Sequence, residues 1–219
     1  MVLYIISTPI GNLEDITFRA VKVLKEVDII LAEDTRRSSV LLNNYDVKNK
    51  VESYNDFNKE RKTPYVIELL KDNKEIAIVS DAGTPGISDP GFYLVRECVR
   101  NDIKIVPVPG VNAAITALVS SGFATDKFTF LGFLSKKQGQ LRKSFMEIKE
   151  NNITMIFYES PHRIEKTLKL MAEIIPDKKI CIARELTKKF EEFIRGTTSE
   201  IIKKEPKFKG EMTVVVGKD

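Results

Sequence analysis

The chain has 219 residues, a formal net charge of +4, and 42% hydrophobic and 30% charged residues. That balance describes an ordinary folded protein, and the charge is too small to argue by itself for a nucleic-acid partner. No apolar run approaches the roughly 20 residues of a membrane helix, residues 1–6 read as a strand without the basic flank of a signal peptide, and one histidine with two isolated cysteines, Cys98 and Cys181, argues against a metal centre and for a reducing, cytoplasmic setting.

Strand and helix signals alternate through the first half. Leu3–Ser7 predicts a strand, followed after Asp15 by a helix that buries Ile16, Ala20, Val23, Leu24 and Val27. Ile29–Ala32 predicts the second strand, after which Asp34 or Thr35 caps a helix carrying Val40, Leu41 and Leu42. A short strand near Val51–Tyr54, a helix from Pro64 to Lys71 and an apolar strand over Glu75–Val79 come next. Ser80–Gly91 then packs three glycines and two prolines into twelve residues, which neither a helix nor a strand can continue. Phe92, Val95 and Val99 follow at the spacing of one helix face, and Ile103–Val108 closes the series. Repeated βα units with apolar strands predict a parallel sheet covered on both faces.

The second half changes character. A helix over Asn112–Ser121 ends at Gly122, and strands are expected at Phe128–Leu131, Ile153–Tyr158, Ile180–Glu185, Phe190–Arg195 and Met212–Val216. The third and fourth of these lie close enough for an antiparallel pair. A helix after Pro161 buries Ile164, Leu168, Met171 and Ile175. Lys136, Lys137, Arg142 and Lys143 surround what reads as a glycine-containing turn, and Lys203, Lys204, Lys207 and Lys209 form a second basic cluster. Each cluster serves either as a solvated face or as a phosphate-tracking surface. The reading is an α/β chain of two domains, 1–115 with a parallel sheet and 116–219 with a mixed sheet, and a cofactor cleft between them.

Four punctuated loops leave the carboxyl ends of the first-half strands: Ser7–Leu13, Glu33–Arg37, Ser80–Gly91 and Pro109–Asn112. In a parallel sheet these ends share one rim, where ligands of open α/β sheets bind. The glycine loop has neither the Lys-Ser/Thr of a P-loop nor the G-x-G-x-x-G spacing. ATP and nicotinamide are therefore disfavoured, and a cofactor held by backbone atoms is left.

The segments Thr8-Pro-Ile-Gly-Asn-Leu13, Glu33-Asp-Thr-Arg36, Ser80-Asp-Ala-Gly-Thr-Pro85, Ser88-Asp-Pro-Gly91, Phe157-Tyr-Glu-Ser-Pro-His-Arg163 and Ala183-Arg-Glu-Leu-Thr187 occur in this order. Together they resemble the bacterial small-subunit ribosomal RNA (cytidine-2′-O)-methyltransferases, members of the tetrapyrrole-methylase superfamily, from residue 3 to about 217. The resemblance implies the two-domain tetrapyrrole-methylase-like fold and S-adenosylmethionine as cofactor. It also implies 2′-O-methylation of a cytidine in the 16S ribosomal RNA of an assembled small subunit, by a homodimer. Two departures stand out. Pro109-Gly110-Val111-Asn112 replaces a common Pro-Gly-Pro-Ser, and a C-terminal helical extension carried by many members has no counterpart after the last strand, so its RNA contacts are expected elsewhere or from a partner subunit.

The resemblance places Ala82, Gly83, Thr84 and Ile87 along the methionine part and the ribose of the cofactor, with Asn112 and Ala113 on the same rim. Tyr158, Ala183, Arg184, Leu186 and Thr213 are its candidates around the adenine, and Pro9 borders the path of the methyl group. A ribose hydroxyl is a weak nucleophile, so a base or a cation beside the developing alkoxide is expected. Asp81, Asp34 and Glu33 are the acidic candidates. Each also has a structural role open to it: ion pairing with Arg36 and Arg37, helix capping, or holding the glycine loop, with Asp89 as a cap for the next helix. RNA contacts are assigned to Arg36, Arg37, Lys136, Lys137, Arg142, Lys143 and Arg163, with Arg61, Lys62 and Lys188 in support. Tyr54, Phe57 or Tyr158 would stack a splayed base. The alternative is a methyltransferase of the same fold acting on a tetrapyrrole or a protein, and that reading predicts an acidic or apolar rim instead of these cations.

Overall fold

The computed structural model describes residues 1–204 and 208–218, so Lys207 of the second basic cluster lies outside the described residues. The chain divides into two compact units, Met1–Asn112 and Ala113–Asp219.

The N-terminal unit runs β1 (Val2–Ile6), a single 3-10 turn (Leu13–Asp15), α1 (Phe18–Glu26), β2 (Ile29–Ala32), α2 (Thr35–Asn44), β3 (Lys50–Ser53), α3 (Lys59–Lys71), β4 (Glu75–Val79), α4 (Phe92–Arg100) and β5 (Lys104–Val108). Its strands form one parallel sheet in the order β3-β2-β4-β1-β5. Alternate residues feed two cores. Leu3, Ile29, Leu31, Ile76 and Ile78 pack with Val66, Leu70, Leu94 and Cys98 of α3 and α4. Ile6, Ile30, Ala32, Ala77 and Val79 pack with Ala20, Val23, Leu24 and Leu42 of α1 and α2. The sheet is thus covered on both faces, as its continuous apolar strands predict. The edge strand β5 carries Pro107 opposite Ile5.

Three local readings need correction. Helix α4 buries Leu94 and Cys98 and packs Val95 against the same core, while Phe92 and Val99 are 67% and 63% exposed, so only Val95 of the expected face points inward. Helix α3 begins at Lys59 with Pro64 inside it, because the Asn55–Asn58 turn (Asn58 Oδ1 accepts the Asn55 N–H at 2.9 Å) already starts it. Asp89 caps nothing: the N-cap of α4 is Gly91, at φ +147° and without a side-chain hydrogen bond.

The C-terminal unit contains α5 (Ala113–Ser121), β6 (Phe128–Phe133), α6 (Gln138–Glu150), β7 (Thr154–Glu159), α7 (Ile164–Ile174), β8 (Lys179–Arg184), β9 (Glu192–Thr197), α8 (Thr198–Lys203) and β10 (Met212–Val216). The sheet order is β6-β7-β10-β8-β9, with β6 and β7 parallel and the other pairs antiparallel. Met155, Phe157, Ile180, Ile182, Met212 and Val214 face a core shared with Phe145, Leu168, Met171 and Ile201. Helix α5 contacts β10, β7 and β8, and its last carbonyls are capped by Arg195, whose Nε donates to Ser121 O at 3.1 Å. Of the basic segment read as a glycine-containing turn, Lys136 and Lys137 lie in the turn before α6, whereas Gly139, Arg142 and Lys143 belong to the helix, whose Leu141, Phe145 and Ile148 recur at helical spacing and are buried.

Candidate active site

The strand order sets β2, β4, β1 and β5 side by side, so their four loops are neighbours along one rim. The loops are also stitched to each other. Thr8 and Gly83 exchange backbone hydrogen bonds of 2.8 and 3.0 Å, and the Thr8 hydroxyl donates to Ser80 O at 3.1 Å. The hydroxyls of Ser7 and Thr84 lie 2.9 Å apart, and Thr84 Oγ1 donates to Val111 O at 3.3 Å. Two glycines are required here. Gly83 sits at φ +87°, a conformation that costs side-chain-bearing residues strain. A Cβ on Gly110 would fall 2.9 Å from Ser7 Cβ. Pro9 is buried, Gly83 is buried, Thr84 is half-buried, and Ala82 and Ile87 are exposed. Asn112 ends the unit and is half-buried.

The carboxylates of the rim divide into distinct environments. Asp34 caps α2, accepting the Arg36 N–H at 2.9 Å, and its carboxylate takes the Arg36 guanidinium at 3.1 and 2.7 Å. The Arg36 side chain beside it, together with that N–H, pulls its pKa down to about 2. Asp81 ties two loops together: Oδ1 accepts the Asp34 N–H at 3.0 Å and Oδ2 lies 3.3 Å from Arg37. Glu33 is raised, first by burial and then by the charges of Asp81 and Asp56. Asp89 is pushed up to about 7 by burial and next by the charge of Glu33. Its Ser-Asp-Pro-Gly setting, which resembles a cap signal, hid it from the sequence reading. Ser88 beside it holds φ +63°. Among the described residues, no group of three or more His, Cys, Asp or Glu is arranged to hold a metal ion.

In the C-terminal unit three expected residues fall in one row. Thr213 is paired with Tyr158 on one side and Ala183 on the other. Thr213 and Ala183 are buried and small, beside a half-buried Tyr158 that also meets Phe130 and Phe133 edge-on at 4.9 and 5.4 Å. Ala113 opens α5. Past Ala183 the backbone is strained, with Glu185 at φ +51° and the β-branched Thr187 at +64°. The Thr187 N–H is held by Glu191 at 2.6 Å and the Glu185 N–H by Glu211 O at 3.0 Å. Leu186, between the two strained residues, is turned inward and buried. Strain fixed by that many partners is a mark of functional loops. Arg184 pairs with Glu192 at 2.5 Å.

The expected RNA-contact residues sort by their existing partners. Lys136, Lys137 and Lys143 are exposed. Arg142 lies 3.4 Å from Glu173, and the Arg36 and Arg37 side chains are 89% and 70% exposed despite their carboxylates. Lys62 pairs with Glu52 at 2.8 Å, and Lys188 with Glu185 and Glu211 at 3.0 and 3.2 Å. Arg163 is turned inward onto Glu159 and two carbonyls. Of the proposed stacking rings, Tyr54 is a core residue, 1% exposed and bonded to the Thr63 hydroxyl at 2.8 Å, so it stacks on no base. Phe57 is fully exposed.

Comparison with known proteins gives the chain its relatives. A family model described as tetrapyrrole (corrin/porphyrin) methylases matches residues 2–202. The ribosomal RNA small subunit methyltransferase I of Halalkalibacterium halodurans is 48% identical over 98% of this chain and 75% of its own length. The protein of the same name from Thermotoga maritima is 50% identical over 98% of this chain and 97% of its own length. Among solved structures, a cobalt precorrin-4 methyltransferase covers 99% of this chain and 94% of its own at TM-score 0.71 and 18% identity. A uroporphyrin-III C-methyltransferase from Thermus thermophilus, complexed with S-adenosyl homocysteine, covers 99% and 97% at TM-score 0.68 and 16% identity. At such identities the likeness is one of fold.

Proposed function

We propose a function for a chain that belongs to the tetrapyrrole (corrin/porphyrin) methylase family: transfer of a methyl group from S-adenosylmethionine to small-subunit ribosomal RNA, at the 2′-oxygen of a cytidine. The observation that carries the reading is near-full-length identity of 48–50% to proteins named for that RNA. The exposed arginines at the start of α2, on the rim itself, support RNA over a tetrapyrrole or protein substrate. The substrate form is the assembled small subunit, in the cytoplasm, and the working enzyme is a homodimer. The outward apolar face of α4, with Phe92 and Val99, supports such an association.

The residues suit a cofactor of this kind. The Ala82-Gly83-Thr84 backbone, bare of large side chains, accepts the methionine part and ribose, with Ile87, Asn112 and Ala113 beside it. The small, buried Thr213 and Ala183 next to Tyr158 offer a flat apolar seat for adenine, which Leu186 and Arg184 border. When bound, the cofactor supplies an activated methyl group on a sulfonium, so the chain has alignment and proton handling to provide. Of the three acidic candidates, Asp34 is too weak a base and Asp81 is spent on holding two loops. Glu33, raised by burial, takes the ribose proton, with Asp89 as its neighbour. Pro9 closes the methyl path to water, and Arg36 and Arg37 hold phosphate.

The test is incubation of the protein with tritiated S-adenosylmethionine and small subunits lacking this methylation, followed by nucleoside analysis. Label on a cytidine 2′-oxygen is the expected result. Absence of label with cofactor binding demonstrated in parallel overturns the RNA reading in favour of another substrate of the same fold.

A further inference from the structure

The turn that presents Lys136 and Lys137, between β6 and α6, is tied down by side chains from the next strand and helix. Glu159, at the end of β7, has a completely buried side chain. Its Oε1 accepts the Ser160 N–H at 2.9 Å and its Oε2 the Thr167 hydroxyl at 2.7 Å. A carboxylate so enclosed needs a cation, and Arg163 supplies it with Nε 3.5 Å from Oε1. The same guanidinium reaches the turn: Nη2 donates to Leu134 O at 3.0 Å and Ser135 O at 3.2 Å. Ser135 passes the order on, its Oγ accepting the Lys137 N–H at 3.2 Å and bonding Gln140 Oε1 at 2.6 Å. Leu141, one residue further, is buried in the core.

We infer that Glu159 and Arg163 are positioning residues, which hold the basic turn so that Lys136 and Lys137 meet RNA phosphates in a fixed register. Arg163 then serves RNA through the turn and touches no phosphate itself. The inference rests on the RNA-methylating function proposed above. Its physical basis is entropy: two lysines on a loose turn would lose backbone freedom on binding, and a turn ordered beforehand has already lost it. Arg163 meets the carboxylate and the two carbonyls from separate nitrogens of its planar fork, a spread that the single nitrogen of lysine does not provide.

Glu159→Gln separates this role from direct contact, because the two predict opposite signs. The variant keeps the side-chain volume, removes the anchoring charge and alters no exposed cation. Were Arg163 a phosphate ligand, freeing its guanidinium would hold or lower KM for the small subunit. A positioning role predicts that KM rises about tenfold, the size of one lost well-placed ionic contact, with kcat and the cofactor Kd unchanged. Ser135→Ala, at the surface and outside the core, moves KM the same way by about threefold, which covers a Glu159→Gln protein that folds poorly. Lys136→Ala with Lys137→Ala lowers the salt dependence of RNA binding by about two phosphate contacts, and adding Glu159→Gln to that pair raises KM little further. A wild-type protein that labels no ribosomal RNA overturns the functional reading and this inference with it. A wild type that labels RNA while both single variants keep or lower its KM overturns the inference alone.

Discussion

Glu33 and Asp34 are adjacent in the chain and opposite in their electrostatics. One peptide bond separates a carboxylate pulled down to about 2 by Arg36 from one raised by burial. Proton acceptance from a ribose hydroxyl needs the second kind. Glu33→Gln is therefore expected to lower kcat by roughly a hundredfold or more with the cofactor Kd unchanged, and an unchanged kcat would return Glu33 to the loop scaffold. Asp89 offers a pH test. Its native carboxyl holds a proton up to about pH 7, whereas in the unfolded chain it ionises near pH 4. Between those values the native state binds more protons than the unfolded one, so this group makes stability fall as pH rises from about 4 to about 7. Below that window both states are protonated and the group contributes nothing; above it the full penalty persists. Asp89→Asn removes the penalty. Urea melts should show the variant gaining on wild type at pH 8 relative to pH 4.5; a difference independent of pH would mean that the carboxyl is not held protonated.

At the scale of elements, the start of α2 does two jobs. Asp34 caps it and Arg36 pairs with the cap, yet both arginine side chains remain largely exposed. An ion pair so exposed contributes little to stability. Arg36→Glu combined with Arg37→Glu is accordingly expected to abolish methylation of the small subunit while cofactor affinity by calorimetry stays unchanged. Persistent methylation would make these arginines ordinary surface charge. The elements also show what a sequence can disclose. Strands β2, β4 and β10 are β-branched runs bounded by charges, glycine or proline, and they were legible almost to the residue. The buried face of α4 was not: six of its nine residues are apolar, so the helical period is satisfied twice, and contact with α3 selects Leu94 and Cys98. Gly139 and its basic neighbours masked α6, although Leu141, Phe145 and Ile148 carry its period. The rim of the site was legible because glycine and proline mark loops wherever they cluster. The Asp34–Asp81 tie was not, because 47 residues separate its ends and only the adjacency of β2 and β4 brings them together. Arg163 was read as a surface cation for a similar reason, since nothing local announces a buried Glu159 as its partner.

For the molecule as a whole, cofactor binding must appear as stability. A ligand that binds only the folded protein, at a hundred times its Kd, adds about 2.7 kcal/mol, or roughly 5–10 °C in Tm for a chain of this size. S-adenosylhomocysteine should raise the melting temperature by that amount, and Gly83→Val should abolish the rise, because φ +87° cannot be held by a β-branched residue without strain. A wild-type shift retained in the variant would remove the glycine loop from the cofactor site.

Pro107 bears on how these molecules behave when crowded. It stands in β5, the outermost strand of the parallel sheet, and has no N–H to offer an approaching chain. At the opposite margin β3 is only four residues long and begins with the exposed Lys50. Both borders are thereby poor templates for a further strand, which disfavours fibril growth by edge-to-edge pairing of this sheet.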